Sequence, residues 1–445
     1  MNRRDFMKMT GVGSIAASLP LSFKLHAVDE EFTGKFLVNL QVEGAWDVSS
    51  ICDPKMNVPG EAIVNSWAQQ GETQTAGKIH YAQFANNAAF FEKYYQDMLI
   101  INGIDSQTNS HSAGVTHNWS GRISAGYPTL TALYAAVNAP NLPINYINNG
   151  GYSETAGLTR YTRLSDSYAI KNIVRPTESN WNPDEKWIPD VDNDLVKQLR
   201  NKQMLEKLSN GTLTIRERLA INNYKSSLDN ASILTRFADE LNQVGSLYED
   251  ERGTEFWSSL KRQMQLALIS MKAGVSVAAD LQIGGFDTHS NHDVLQSELM
   301  AHTTDSIDFF WEFAGQMGLA ERIVLVVTSD FSRTPYYNDS NGKDHWPVGS
   351  AIIMELDAPW GNRVVGLTDE GQNVVPINPL TLQPQQNGGS IIYPKHVMQA
   401  LREYMGISNS PLLNPFPFNN SENFAFFNPS VSTPQNADPR NSIRI

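Results

Sequence analysis

The chain has 445 residues, 41% apolar and 10% aromatic, enough to bury a sizeable core and unlike a disordered polypeptide. Its formal net charge of -13 at pH 7 leaves no basic footprint for a phosphate backbone, which argues against nucleic acid as a partner. The single cysteine, Cys52, excludes an intrachain disulfide and an iron–sulfur ligand set, so any metal must be held by oxygen and nitrogen atoms.

The N-terminal stretch MNRRDFMKMTGVGSIAASLPLSFKLHA carries paired Arg3 and Arg4, then Phe6 and Lys8, then a weakly apolar run. It resembles a twin-arginine export signal over residues 1–27. The run is too short and too interrupted, by Gly11, Gly13, Ser14, Ser18 and Pro20, to read as a membrane anchor. Cleavage after Ala27 would carry the formal net charge to -16 and leave a mature chain without a stable membrane span. The expected location is the periplasm or the exterior.

The rest of the chain alternates strand-like and helix-like segments. Residues 35–47 (KFLVNLQVEGAWD) read as a buried strand ending in a Gly-containing turn. A helix is expected over 82–95, a strand over 97–105, and a third strand over 142–151. The polar span around 190–250 reads as a helical insertion. Residues 255–274 form an amphipathic helix with a glycine stop. A strand and loop follow from 275, then a long helix from 292, then the strand at 323–327. A last apolar run covers 351–354. This order implies an α/β fold with a mostly parallel central sheet sandwiched between helices, over residues 28–410. Residues 411–445, rich in Asn, Pro, Ser and Phe, read as an extension hugging the surface without regular structure.

Acids and histidines cluster just after the strand-like runs. The first run leads to Asp47 and the second to a loop with Ser110, His111 and His117. The run from 275 leads to GGFDTHSNHD, with Asp287, His289, His292 and Asp293. The run at 323 leads to Asp330, and His345 precedes the last run. Open parallel sheets bind ligands outside the carboxyl ends of their strands. Carboxylates and imidazoles are ligands for divalent metals such as zinc or manganese. Asp47, Asp287, His289, Asp330 and His345 are therefore the expected metal ligands, with His111 and His117 as further candidates. Asp293 reads as a helix N-cap, and His292 as a histidine at a helix start. Asp344 is suited either to ligate or to orient His345. Arg333 is a candidate for steadying an anionic group. No G-x-S-x-G elbow, Walker loop or dinucleotide fingerprint is present, so the attacking group is a hydroxyl of the loop bearing Ser110, Ser112 and Thr116, or a metal-bound water.

NRRDFMK, GAWD, GGFDTHSN, TSDFSRTP and DHW, in this order, resemble the bacterial family catalogued as domain of unknown function 1501. That family is similar to the alkaline phosphatase and sulfatase superfamily. The resemblance implies a two-metal site at one sheet edge, with Asp47 as a ligand of the second metal and Asp287 and His289 on the first. Asp330 and His345 match later ligand positions, and Ser110 matches the serine loop of one branch. Phe331 stands where the superfamily carries a histidine ligand, and Asp287 and His289 lie closer together than their phosphatase counterparts. The expected activity is hydrolysis of a phosphate or sulfate ester with a divalent metal (zinc, manganese or calcium). The alternative is a catalytically degenerate relative that binds a cell-envelope partner and holds one metal or none.

Overall fold

Six of the apolar runs marked as strands lie side by side in one eight-stranded sheet of the computed structural model. The structure describes residues 32–164, 177–178, 185–209, 260–431 and parts of 213–248. The export-signal segment 1–27 and residues 432–445 lie outside the described residues, as does much of the expected insertion between its two described helices.

The strands are β1 (Phe36–Val42), β2 (Met98–Asp105), β3 (Tyr146–Asn148), β4 (Tyr161–Thr162), β5 (Ala278–Ile283), β6 (Ile323–Ser329), β7 (Val348–Met354) and β8 (Arg363–Val365). Their order across the sheet is β8-β2-β7-β6-β1-β5-β3-β4. β1 lies at the centre, parallel to β5 on one side (Leu37 opposite Ala278) and to β6 on the other (Leu37 opposite Val324). All seven residues of β1, of β6 and of β7 are buried. A strand with one wet face would alternate, so both faces of this sheet are covered. The described helices are α1 (Asn87–Tyr94), α2 (His111–Ser120), α3 (Leu130–Asn138), α4 (Asp190–Ser209), α5 (Ile233–Val244), α6 (Leu260–Lys272), α7 (His292–Met317) and α8 (Pro394–Tyr404). Among the described residues no helix is long and apolar enough to cross a membrane.

β7 departs from the parallel rule and runs antiparallel to both β6 and β2. A parallel neighbour needs a long crossover, usually a helix. The connection from β6 to β7 holds only a small ribbon pairing Ser332–Arg333 with His345–Trp346. The chain therefore turns back at the edge where β6 ended, and the loop bearing Asp344 and His345 stays there. β1, β2, β5 and β6 all present their carboxyl ends at this same edge.

Glycine makes the close approaches there. Gly44 has φ +104°, and a Cβ on it would stand 2.5 Å from the backbone nitrogen of Asp287. A Cβ on Gly342 would stand 2.0 Å from the backbone of His289. Larger residues would push the three loops apart.

The segment from Pro411 is more integrated than an extension on the surface. Phe424 and Phe426 are buried in the core, and Phe427 stacks on Tyr404 at 4.4 Å and meets Trp360 edge-on at 5.4 Å. The Arg363 guanidinium donates to the carbonyls of Phe426, Asn428 and Val431 at 2.8–3.0 Å. The aromatic content of this Asn/Pro-rich stretch is what ties it down, through apolar burial that an unstructured extension would forgo.

Away from the edge, β5 carries a buried acid. Asp280 accepts hydrogen bonds from Thr131 (3.0 Å), Asn148 (3.1 Å) and the Tyr146 hydroxyl, joining β5 to α3 and β3. Burial pushes this carboxyl up to about 7, against the neighbouring donors that lower it. The folded state thus keeps a proton that the unfolded chain releases near pH 4, and stability falls as pH rises from about 4 to about 7. The slope is at most about 1.4 kcal/mol per pH unit. Urea unfolding at pH 5 and pH 7 is expected to show this loss in the native sequence and a clearly smaller one in Asp280→Asn. Equal losses in both would contradict it.

Candidate metal centre

Three imidazoles and a carboxylate face one another at the carboxyl edge of the sheet. His345 Nε2 lies 3.1 Å from His111 Nε2, 3.0 Å from His289 Nε2 and 3.2 Å from Asp287 Oδ1. Asp287 Oδ1 is also 3.0 Å from His289 Nε2 and 3.5 Å from His111 Nε2. Each side chain arrives from a different segment: His111 opens α2, Asp287 and His289 follow β5, and His345 sits in the β6–β7 connection.

The opposite ring nitrogens are all committed. His345 Nδ1 donates to the Asn109 carbonyl at 2.8 Å, and His289 Nδ1 to Asp344 Oδ1 at 2.7 Å. His111 Nδ1 donates to Asp330 Oδ2. With Nδ1 protonated, a neutral imidazole keeps a bare lone pair on Nε2. Three such lone pairs and a carboxylate oxygen then converge. A single cation among them could be shared by His111, Asp287 and His345, whose ligand atoms lie within 4.8 Å of one another, with His289 beside His345 and Asp287. Anchoring the far nitrogen on a carboxylate or carbonyl is how metal-binding histidines are held. The residues present therefore fit a divalent metal, with His111, Asp287 and His345 as its nearest set.

The remaining charges suit this reading. Burial works to raise the Asp287 carboxyl, but the Arg333 guanidinium beside it pulls it down to about 2, so it is an anion at any physiological pH. The bond to Asp330 raises the His111 pKa, against burial. Asp344 is lowered by its bond with His289. Asp287 and His289 are 48% and 46% exposed, so one side of the cluster opens to solvent. Phe331 is buried and stacks on His111 at 4.9 Å, with His345 also 4.9 Å away, which fixes the planes of both rings.

The other residues expected at a metal are placed differently. Asp330 is fully buried. Its Oδ1 accepts from the Ala45 amide (2.9 Å), the Gly44 amide (3.2 Å) and the Ser329 hydroxyl (2.8 Å), while Oδ2 holds His111. Its oxygens are taken up by these donors, and through Oδ2 it orients the His111 ring. Asp47 belongs to a separate, closed network. Its Oδ2 meets the Lys343 ammonium at 2.6 Å and His292 Nε2 at 3.0 Å, and its Oδ1 accepts from Ser49. Burial would raise Asp47, yet Lys343 and His292 hold it well below the usual carboxylate range. His292 is pushed down by burial despite that acid and is the neutral donor to Asp47, with Thr288 on its other nitrogen at 2.8 Å.

Arg333 does not reach for an anion from solvent. It is fully buried and donates to the carbonyls of Ala45, Gly44, Lys343 and Phe286 and to Asp287 Oδ1 at 2.6 Å. It clamps the loops after β1, β5 and β6 together. Ser110 precedes α2 and is exposed; its Oγ finds only Ser112 Oγ, at 3.5 Å, and no base. His117 is buried with Nδ1 on the Ser106 carbonyl at 2.9 Å. Asp293 does not cap α7; it accepts from the Tyr337 hydroxyl at 2.7 Å.

A family model described as "Protein of unknown function (DUF1501)" matches residues 35–381, and the chain belongs to that family. None of the curated proteins matches it. Among solved structures, the lipoteichoic acid synthase LtaP from Listeria monocytogenes is similar at 9% identity and a TM-score of 0.36, covering 85% of this chain and 74% of that one. A TAB5 alkaline phosphatase mutant with magnesium bound is similar at 12% identity and 0.32, covering 75% and 95%. A 2-O GAG sulfatase is similar at 9% identity and 0.34, covering 85% and 71%.

Arg333→Lys is expected to cost roughly 3 kcal/mol or more, because one ammonium cannot satisfy the buried carbonyls left behind. Denaturant unfolding of the purified variant measures this. A cost near zero would show that the clamp is dispensable.

Proposed function

We propose that this chain is a metal-dependent hydrolase of phosphate or sulfate esters acting outside the cytoplasm. The observation that carries the reading is the convergence of His111, His289, His345 and Asp287 with every distal nitrogen already bonded. The ester class rests on the motif resemblance, and the export on the paired arginines Arg3 and Arg4.

Three imidazoles favour zinc or manganese over calcium, which prefers an all-oxygen shell. An ion held there lowers the pKa of a water and polarises an ester oxygen. The protein's own residues supply the positioning. Asp330, Asp344 and the Asn109 carbonyl fix the tautomer of each ring, Phe331 fixes ring planes, and Arg333 holds Asp287. Asp287 and His289 border the open side, where an ester would arrive. Ser110 has no base beside it, so water is the favoured attacking group.

A second reading is a metal-holding protein that binds an anionic cell-envelope partner without turning it over. Among the described residues, the arginine bonded at this cluster, Arg333, is saturated, which favours it. Metal analysis with a screen of aryl phosphate and sulfate esters separates the two. Bound metal with turnover, both lost in Asp287→Asn and His345→Ala, supports the hydrolase. Bound metal without turnover supports the binder, and folded protein that takes up no zinc or manganese refutes both. Asp344→Asn is expected to weaken metal affinity about 10–100-fold with an unchanged unfolding midpoint, since it loosens only the His289 anchor. Unaltered affinity would remove His289 from the metal set.

A further inference from the structure

We infer that the buried ammonium of Lys343 stands in for a second metal ion, so that the centre holds one exchangeable metal per chain. The inference rests on the metal reading of the histidine cluster and departs from the two-metal site implied by the motif resemblance. Asp47, the residue matched to the second metal, is closed off from solvent. Lys343 Nζ lies 2.6 Å from Asp47 Oδ2, 2.8 Å from Asn65 Oδ1 and 3.4 Å from Ser49 Oγ. Asp47, Lys343, His292, Ser49 and Asn65 are all buried.

These neighbours are what a hard cation would use: a carboxylate, an amide oxygen and a hydroxyl, with an imidazole on the same carboxylate oxygen. The ammonium has three donors and finds three oxygens. Asp47 has no room for another cation, because Ser49 and Ser50 hydroxyls and the Ser49 amide take its remaining lone pairs. A second observation agrees. Phe331, at the position where the superfamily segment supplies a histidine, offers no donor atom and packs against His111 and His345. Phe331 therefore adds no ligand at this edge of the sheet. A fixed positive charge replaces a dissociable one, and chelators can remove only the ion at the histidines.

The test is manganese content by plasma mass spectrometry after loading with manganese chloride and desalting. The native protein is expected to hold one ion per chain, and the neutral double variant Asp47→Asn/Lys343→Met to hold the same one. Lys343→Ala empties the ammonium's place beside an unpaired carboxylate and is expected to hold one ion more, with manganese raising its melting temperature further than the native protein's. Two ions in the native protein, one of them lost in the double variant, would overturn the inference. So would a folded Lys343→Ala with the native ion count. Should Lys343→Ala not fold, the comparison of native and double variant still decides. Failure of the underlying metal reading looks different: the native protein then holds no ion, while a gain of one in Lys343→Ala still supports the role of Lys343.

Discussion

The molecule is organised around one close meeting of imidazole and carboxylate atoms at the carboxyl edge of its sheet. Imidazole nitrogens from three distant segments point bare lone pairs at one another across about 3 Å, beside an ionised Asp287. Nitrogen lone pairs facing one another repel, and a proton or a cation among them relieves that repulsion. Much of the surrounding structure is what keeps the four from moving apart. Asp330, Asp344 and the Asn109 carbonyl grip the far side of each ring, and Arg333 holds the acid.

That grip depends on a second, dry layer beneath. The loops after β1, β5 and β6 are joined by Arg333 and by Asp330, both fully buried, and the Asp47–Lys343–His292 network fills the space alongside. Backbone oxygens and amides take most of the bonds in this layer, so the loops cannot shift singly. The reversal of β7 serves the same end, because it keeps Asp344 and His345 at the edge where their partners arrive. A rigid, charge-balanced floor under an open cluster holds these side chains in place and leaves one side of the cluster open to solvent.

The sheet was largely legible in the sequence. Apolar-rich runs such as FLVNLQV and IVLVVTS are the mark of strands buried on both faces, and they fall where expected. The three-residue edge strand β8 and the nine-residue α3 stand outside the sequence reading, as does α8, although Pro394 and a clear apolar stripe mark it. The edge that gathers acids and histidines was also legible, because strand ends are visible as the points where apolar runs stop. The role of each residue was not. Asp330 and Asp47 look alike in sequence, each closing an apolar run, yet one anchors a histidine and the other neutralises Lys343. His111 stood only among the further candidates, in a loop crowded with hydroxyls, although its ring completes the cluster. Nothing around Lys343, in the polar stretch NDSNGKDHW, signals a buried ammonium. That burial comes from tertiary packing alone. The aromatic residues of the tail were a usable sign of docking that its Asn and Pro content masked.

The most direct measurement is X-ray absorption at the metal edge of the zinc- or manganese-loaded protein, which counts imidazole rings through their multiple scattering. Three imidazoles per ion are expected, falling to two in His111→Ala. A spectrum with no imidazole, or one unchanged by that substitution, would contradict a metal held at this histidine cluster.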